Sequence, residues 1–340
     1  MAQKKTGTPR KKTAKKKKPA VKRRRQSLEE LPPIMDRRAM EKSMLDLGRL
    51  LEQQNFETSD EANAFLAQFG HLDDIPTPAN QTPLEQAQDK MYEAWGATGK
   101  RRVKLAQEAL VISPDCADAY VLLAEETARS PEEALKFYEQ GIQAGERALG
   151  PEAFAEDAGH FWGIMETRPY MRARAGAAEC LWALGERQQA IAHYSELLRL
   201  NPNDNQGNRD MLARLLLKEG MDEELGKLLE QYEEDASAEW QYTRALWKFR
   251  SEGETKEADA LLRESFAQNR FVPVYLTGFK KPPRRLPAYI GFGDENEAIH
   301  YFANSAQVWL DTPGALEWLA RVFAETVMAF EQSEAFRKGQ

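Results

Sequence analysis

The chain has 340 residues, 42% of them apolar and 30% charged, with a formal net charge of −7. That length holds a sizeable core. Good helix formers dominate after residue 30 and Val/Ile/Thr runs are nearly absent, which favours an all-α class over sheet folds. No stretch approaches the ~18 uninterrupted apolar residues of a membrane span, and no apolar segment follows the basic N-terminus as in a secretory signal. A cytoplasmic protein is expected.

In chain order, the first 25 residues carry 13 Lys or Arg and no acid, leaving 34 basic against 54 acidic side chains in the remainder. Residues 1–27 bury too little apolar surface to fold and read as a disordered tail. Its Lys15, Lys16, Lys17, Lys18, Arg23, Arg24 and Arg25 suit non-specific contact with a polyanion such as nucleic acid; a purely solubilising arm is the alternative. Residues 28–70 form a short helical module: Met40, Met44, Leu47 and Leu51 recur at helical spacing. Ser59-Asp60 is expected to cap a second helix bearing Ala62, Phe65, Leu66 and Phe69. Residues 71–83, with three prolines, read as a linker.

From 84 to 335 helices alternate with short turns, and a tetratricopeptide-like repeat emerges. Such a unit is two antiparallel helices in about 34 residues, with small side chains where the helices cross closely. The fullest copy has Ala177-Ala178 in a first helix and Gly185 at the turn, then Ala190, Tyr194 and Leu197 in a second helix with Pro202 beyond it. The second-helix frame returns at Ala134/Tyr138/Gly141, at Ala258/Leu262/Ser265 and at Ala298/Phe302/Ser305, while Gly185, Gly220 and Gly253 stand 35 and 33 residues apart. Residues 84–114 are a degenerate first unit, with Leu84, Ala87, Met91 and Trp95 on one stripe, and GALEWLARVFAETVMAF is a closing helix. The fold class is therefore an all-α, right-handed superhelical solenoid of helical hairpins. Insertions at 150–169 and 280–295 interrupt it, the second expected between the helices of the last unit.

Several strings go beyond a generic repeat. SPDCADAYVLLAEE (113–126), AGE (144–146), the insertion that follows, NRFVPVYL (269–276), and LPAYIGFGDENEAIHYFANSAQVW (286–309) with GALEWL (314–319) resemble, in order, the suppressor of tumorigenicity 7 family. The likeness spans roughly residues 85–320, and bacterial proteins labelled as tetratricopeptide-repeat proteins resemble the chain more closely still. It implies a repeat fold and, the family having no established enzymatic activity, supplies no mechanism. Animal members are described as membrane proteins, a property not carried over to a chain with no apolar run long enough to span.

The chemistry readable from motifs is sparse. His71, His160, His193 and His300 lack metal-ligand spacing, and Cys116 and Cys180 sit in apolar helical patterns as small buried hydrophobes. The GFGD at 291–294 lacks the third glycine and the preceding strand of a dinucleotide loop. No nucleophile elbow or phosphate-binding Walker motif occurs. No catalytic residue, metal or cofactor is expected. What remains is a groove lined by first helices, with Glu125, Arg172, Ala175, Glu179, Trp182, Gln206, Arg209 and Ala213 on its face. Tyr170, Arg172, Arg174, Asn205, Asn208 and Arg209 are read as a basic and amide patch for a carboxylate or acidic peptide, which Glu179 partly offsets. Trp162 is a candidate exposed anchor in the first insertion, and Arg284 and Arg285 lie in an extended Pro-rich run. The leading expectation is a scaffold that holds a protein or peptide of unspecified identity. A nucleic-acid- or ribosome-associated adaptor acting through the tail is the second reading, and an uncharacterised enzyme the third.

Overall fold

The computed structural model describes residues 38, 41–54, 56–69 and 80–338. The chain divides into two units, 1–35 and 36–340; the first, and with it the tail cations, lies outside the described residues, as do most of the linker and His71. Among the described residues all regular structure is helical, with no strand.

The N-terminal pair is α1 (Glu41–Glu52) and α2 (Ser59–Leu66). Thr58, one residue earlier than the sequence pattern suggested, caps α2 by accepting the Glu61 amide at 3.3 Å. Helix α3 (Pro83–Gly96) starts with a full capping box: Glu85 N–H donates to Thr82 Oγ1 and Thr82 N–H to the Glu85 carboxylate. Pro83 sits in the first turn, where no amide is needed. A three-residue link then leads to α4 (Lys100–Ile112). Links this short between helices force the chain to fold back.

The pattern repeats through α5 (Ala117–Thr127) and α6 (Pro131–Glu156), α7 (Arg168–Leu184) and α8 (Arg187–Leu200), α9 (Asn208–Glu219) and α10 (Asp222–Gln231), and α11 (Ala238–Glu252) and α12 (Lys256–Gln268). Three of these turns use glycine as expected. Gly185 has φ 83° and lets the Glu186 amide reach back to the Leu181 carbonyl at 2.9 Å, the left-handed ending that a Cβ disfavours. Each hairpin packs on the next, and the small residues of the second-helix frame, Ala190, Ala258 and Ser265, are fully buried at these crossings. The apolar core forms two clusters that meet at α5.

Two expectations about the insertions change. Helix α6 continues past its break at Gly150 (φ 73°, ψ 165°) to Glu156, and two 3-10 turns then lead into α7. Most of 150–169 is thus folded onto the body, with Phe154 and Phe161 packed around the Tyr170 ring. At the C-terminus come the one-turn α13 (Val272–Leu276), then α14 (Glu295–Asp311) and α15 (Ala315–Lys338). Helix α14 packs on the first helices α9 and α11, while α15 packs on the second helix α12. The last hairpin is therefore α14–α15, and the 280–295 segment precedes it instead of dividing it. The first helices line up in two runs, α3, α5, α7 and then α9, α11, α14.

Candidate functional site

Bringing α3, α5 and α7 side by side gathers charged residues that are far apart in sequence. Asp118, in the first turn of α5, is fully buried. Its carboxylate accepts two bonds from the Arg172 guanidinium of α7, at 2.8 and 2.7 Å, and one from the Gln88 amide of α3 at 2.8 Å. A buried carboxylate requires this saturation. The other edge of Arg172 donates to both oxygens of Glu41 on α1, at 3.1 and 3.0 Å, and Arg168 donates to Glu41 at 3.1 Å. Burial works against the Arg172 charge, but Asp118 and Glu41 outweigh it and hold its pKa above the ordinary value.

Trp95 of α3 lies between two cations. The Arg38 guanidinium is 5.0 Å and that of Arg172 5.3 Å from its ring centroid. Arg38 also makes two 3.0 Å bonds to Glu125 of α5. Nearby, burial and then Asp118 push the Tyr92 phenol and the Cys116 thiol upward, so Cys116 stays a thiol and is chemically quiet.

A second set lies farther along the face. Asp204 receives the Asn208 and Arg209 amides at 2.7 and 3.0 Å and so starts α9. Arg209 pairs with Asp235 at 2.6 Å, beneath the Tyr232 ring at 5.2 Å. Arg214 donates to the buried Glu239 at 3.0 Å, and Ser305 of α14 adds a bond at 3.3 Å. Burial, opposed by Arg214, raises the Glu239 carboxyl to about 7. Beyond Arg214, Trp182, Met211, Lys218, Asn304 and Val308 line an open cavity of about 250 Å³ between α7, α9 and α14.

The expected basic patch is therefore not a set of free cations. Arg172 and Arg209 meet acids of the chain itself; Tyr170 is buried and accepts from Arg174 at 2.6 Å; Asn208 is buried, and of the patch only Asn205 is exposed. Ala213, placed on the groove face by its spacing, is instead fully buried. Trp162 is half-buried, with the Arg168 guanidinium 5.1 Å from its ring and Arg168 Nε donating to its carbonyl at 2.9 Å. It is a packing residue in this arrangement, not an exposed anchor. Arg284 and Arg285 are exposed as expected, on a segment that also presents Phe279, Tyr289 and Phe292 at 80, 74 and 86% exposure. Sequence reasoning missed Glu41, Gln88 and Asp118 and read Trp95 only as part of an apolar stripe. The one available signal was Asp118 itself, an acid inside the apolar run ADAYVLLA.

Both cysteines are free and buried. Among the described residues no group of three or more His, Cys, Asp or Glu is placed to hold a metal, and no helix is long and apolar enough to cross a membrane. The chemistry on the face is that of neutralised, aromatic-flanked ion pairs.

Comparison with known proteins adds a family. Residues 78–335 match the family model described as ST7 protein. A human suppressor of tumorigenicity 7 protein-like is 28% identical over 262 residues, covering 69% of this chain and 45% of its own length. Its chicken (Gallus gallus) counterpart is 27% identical, with 69% and 46% covered. A Caenorhabditis elegans ST7 homolog is 26% identical over 280 residues, with 70% and 51% covered. The chain spans about half the length of these curated relatives.

Proposed function

The chain belongs to the ST7 protein family, and from that premise we propose that it is a non-catalytic scaffold, a right-handed tetratricopeptide-like solenoid that seats a protein segment on the face of its first helices. The observation that carries this reading is that the face already seats one. Helix α1 packs on α3 and on the second 3-10 turn, with Glu41 on Arg168 and Arg172 of α7, and Arg38, ahead of the helix, pairs with Glu125 of α5. Consecutive hairpins extend the same surface toward α9, α11 and α14, where the cavity beside Trp182 is open. Work in the cytoplasm fits a chain with no spanning helix among its described residues.

The test uses full-length protein as bait, compared with a Trp182→Ala/Lys218→Glu variant. Lys218 is exposed and lies 5.0 Å from the Trp182 ring, which is half-buried against the core, so a Lys218→Glu single variant, which spares that packing, is run beside the pair. The single variant should melt within a few degrees of wild type, and each variant should lose the wild-type partner. An identical partner set from all three proteins would remove the basis for assigning function to this face. A second reading rests on the charge of residues 1–25, which would recruit nucleic acid or ribosomes to whatever the hairpins hold.

A further inference from the structure

Helix α1 touches the hairpins through a regular stripe. Arg38 meets Glu125 and Trp95, Glu41 meets Arg168 and Arg172, Leu45 is the buried apolar contact, and Arg49 meets Glu85 at 2.9 Å. Within α1, Glu41, Leu45 and Arg49 advance by four and four, the steps that keep side chains on one side of a helix, and Arg38 comes before it. Their receptors come from three separate helices: Glu85 and Trp95 from α3, Glu125 from α5, and Arg168 and Arg172 from α7. The surface thus reads a cation, an anion, an apolar group and a cation in that order.

The fit of α1 is incomplete. A cavity of about 100 Å³ remains beside Leu45, walled by Arg49, Leu84, Tyr92, Met165 and Tyr170. Leu45 is the one fully buried apolar residue of α1 among those described, and Met44 is 45% exposed. A helix of 12 residues has little stability of its own. Its hold therefore depends on ion pairs and on being part of the same chain, which supplies an effective concentration of order millimolar.

We propose that the α3–α5–α7 face is a binding site for a partner's amphipathic helix of the pattern Glu-x3-apolar-x3-Arg, preceded by an Arg and with an apolar residue larger than leucine, and that α1 is its resident, displaceable occupant. The inference rests on the scaffold reading above and names the chemistry of its partner. An incoming helix replaces the Glu41 and Arg49 pairs that α1 gives up; the Lys42–Asp89 pair at 3.4 Å is lost, but Asp89 keeps the Gln81 amide at 2.7 Å. The bulkier side chain fills the space that Leu45 leaves, and this difference decides the competition.

The probe is a fluorescent synthetic peptide of residues 36–54, used with full-length protein. In one arm α1 is released by Glu41→Arg with Arg49→Glu; in another, by Leu45→Asp, which acts through the apolar contact instead of the charges. Both released proteins should bind the peptide at least about 30-fold more tightly than wild type, because the competitor has left. A peptide carrying Leu45→Phe should bind the released proteins more tightly than the native peptide, and one carrying Glu41→Arg about 10-fold or more weakly. Equal affinity for wild-type and released proteins, absence of saturable binding to either released protein, or a Phe peptide weaker than the native one would overturn the proposal. The Trp182/Lys218 comparison reads a different stretch of the face, so the scaffold reading stands or falls separately.

Discussion

Replacing Arg172 by Gln should be among the most damaging single changes in the described residues, and the contacts set its size. Arg172 donates four charge-assisted bonds, two to Asp118 and two to Glu41. Without it, Asp118 stays fully buried, with Gln88 its one remaining side-chain donor among the described residues. Breaking a buried pair by removing one partner costs roughly 3–5 kcal/mol, because the other charge is left uncompensated. Glu41 is different: it keeps Arg168 and lies nearer to water, so Glu41→Gln should cost only about 1 kcal/mol. Arg172→Lys keeps the charge but loses the two-pronged geometry and should fall between them. Asp118→Asn combined with Arg172→Gln should cost less than the sum of the single changes, by about 2 kcal/mol or more. Urea unfolding followed by far-ultraviolet circular dichroism measures the wild type and the five variants, Asp118→Asn alone included. An Arg172→Gln cost below about 1 kcal/mol, or one equal to that of Glu41→Gln, would refute the idea that Asp118 depends on this guanidinium.

Three further outcomes are expected. A Cβ at Gly145 would lie 2.9 Å from Tyr170 Cβ and 3.3 Å from its Cα, whereas one at Gly96 would meet nothing within 4 Å. Gly145→Val should therefore destabilise by about 1–3 kcal/mol and visibly lower the melting temperature, while Gly96→Ala leaves it within a degree or two or raises it. The Glu239 carboxyl, raised by burial from 4.5 to about 7, binds its proton more tightly folded than unfolded, so its stabilising contribution is full below about pH 4.5 and lost as pH rises through 7. Relative to wild type, Glu239→Gln should gain up to about 3 kcal/mol between pH 5 and pH 8, and a difference independent of pH would contradict this. The His193 imidazole, lowered to about 4 by burial and then Arg174, gives the opposite slope in both proteins and cancels from the comparison. Finally, deleting residues 1–27 should abolish salt-sensitive binding to RNA in a filter or polarisation assay, and retention of that binding would place the polyanion contact elsewhere.

The hairpins were legible because their signals are local. Gly185, Gly220 and Gly253 punctuate the chain, and Ala190 or Ala258 marks a close crossing, without reference to distant residues. Helix α14 shows where this ends. Ala298, Phe302 and Ser305 repeat the second-helix spacing, yet the helix packs on α9 and α11. A small residue permits a close approach from any neighbour; what fixes the neighbour is Glu297 accepting the Ala238 amide at 2.9 Å and Ser305 reaching Glu239. The site was half legible for the same reason. Arg172 stood out as a cation on a first helix, but its partners Asp118 and Glu41 lie 54 and 131 residues earlier. A sequence pattern shows a charge and not what neutralises it.

That neutralisation changes how selectivity on this face has to be understood. A free basic groove would draw any acidic segment, and the acidic body of the chain gives no reason to expect one. On the face as built, Arg172 lies between Asp118 and Glu41, Arg209 against Asp235, and Arg214 against Glu239. A ligand gains from such a surface only by supplying a matching charge at the same place as the one it removes, because any mismatch leaves a desolvated ion. Position, not net charge, becomes the criterion. Trp95 sharpens it, since a cation must arrive over the ring as well as beside Glu125. With the ionic terms nearly equal for resident and incoming helix, the remaining difference is apolar filling of the space beside Leu45, where one or two methylene groups at about 0.8 kcal/mol each separate a segment that displaces α1 from one that does not.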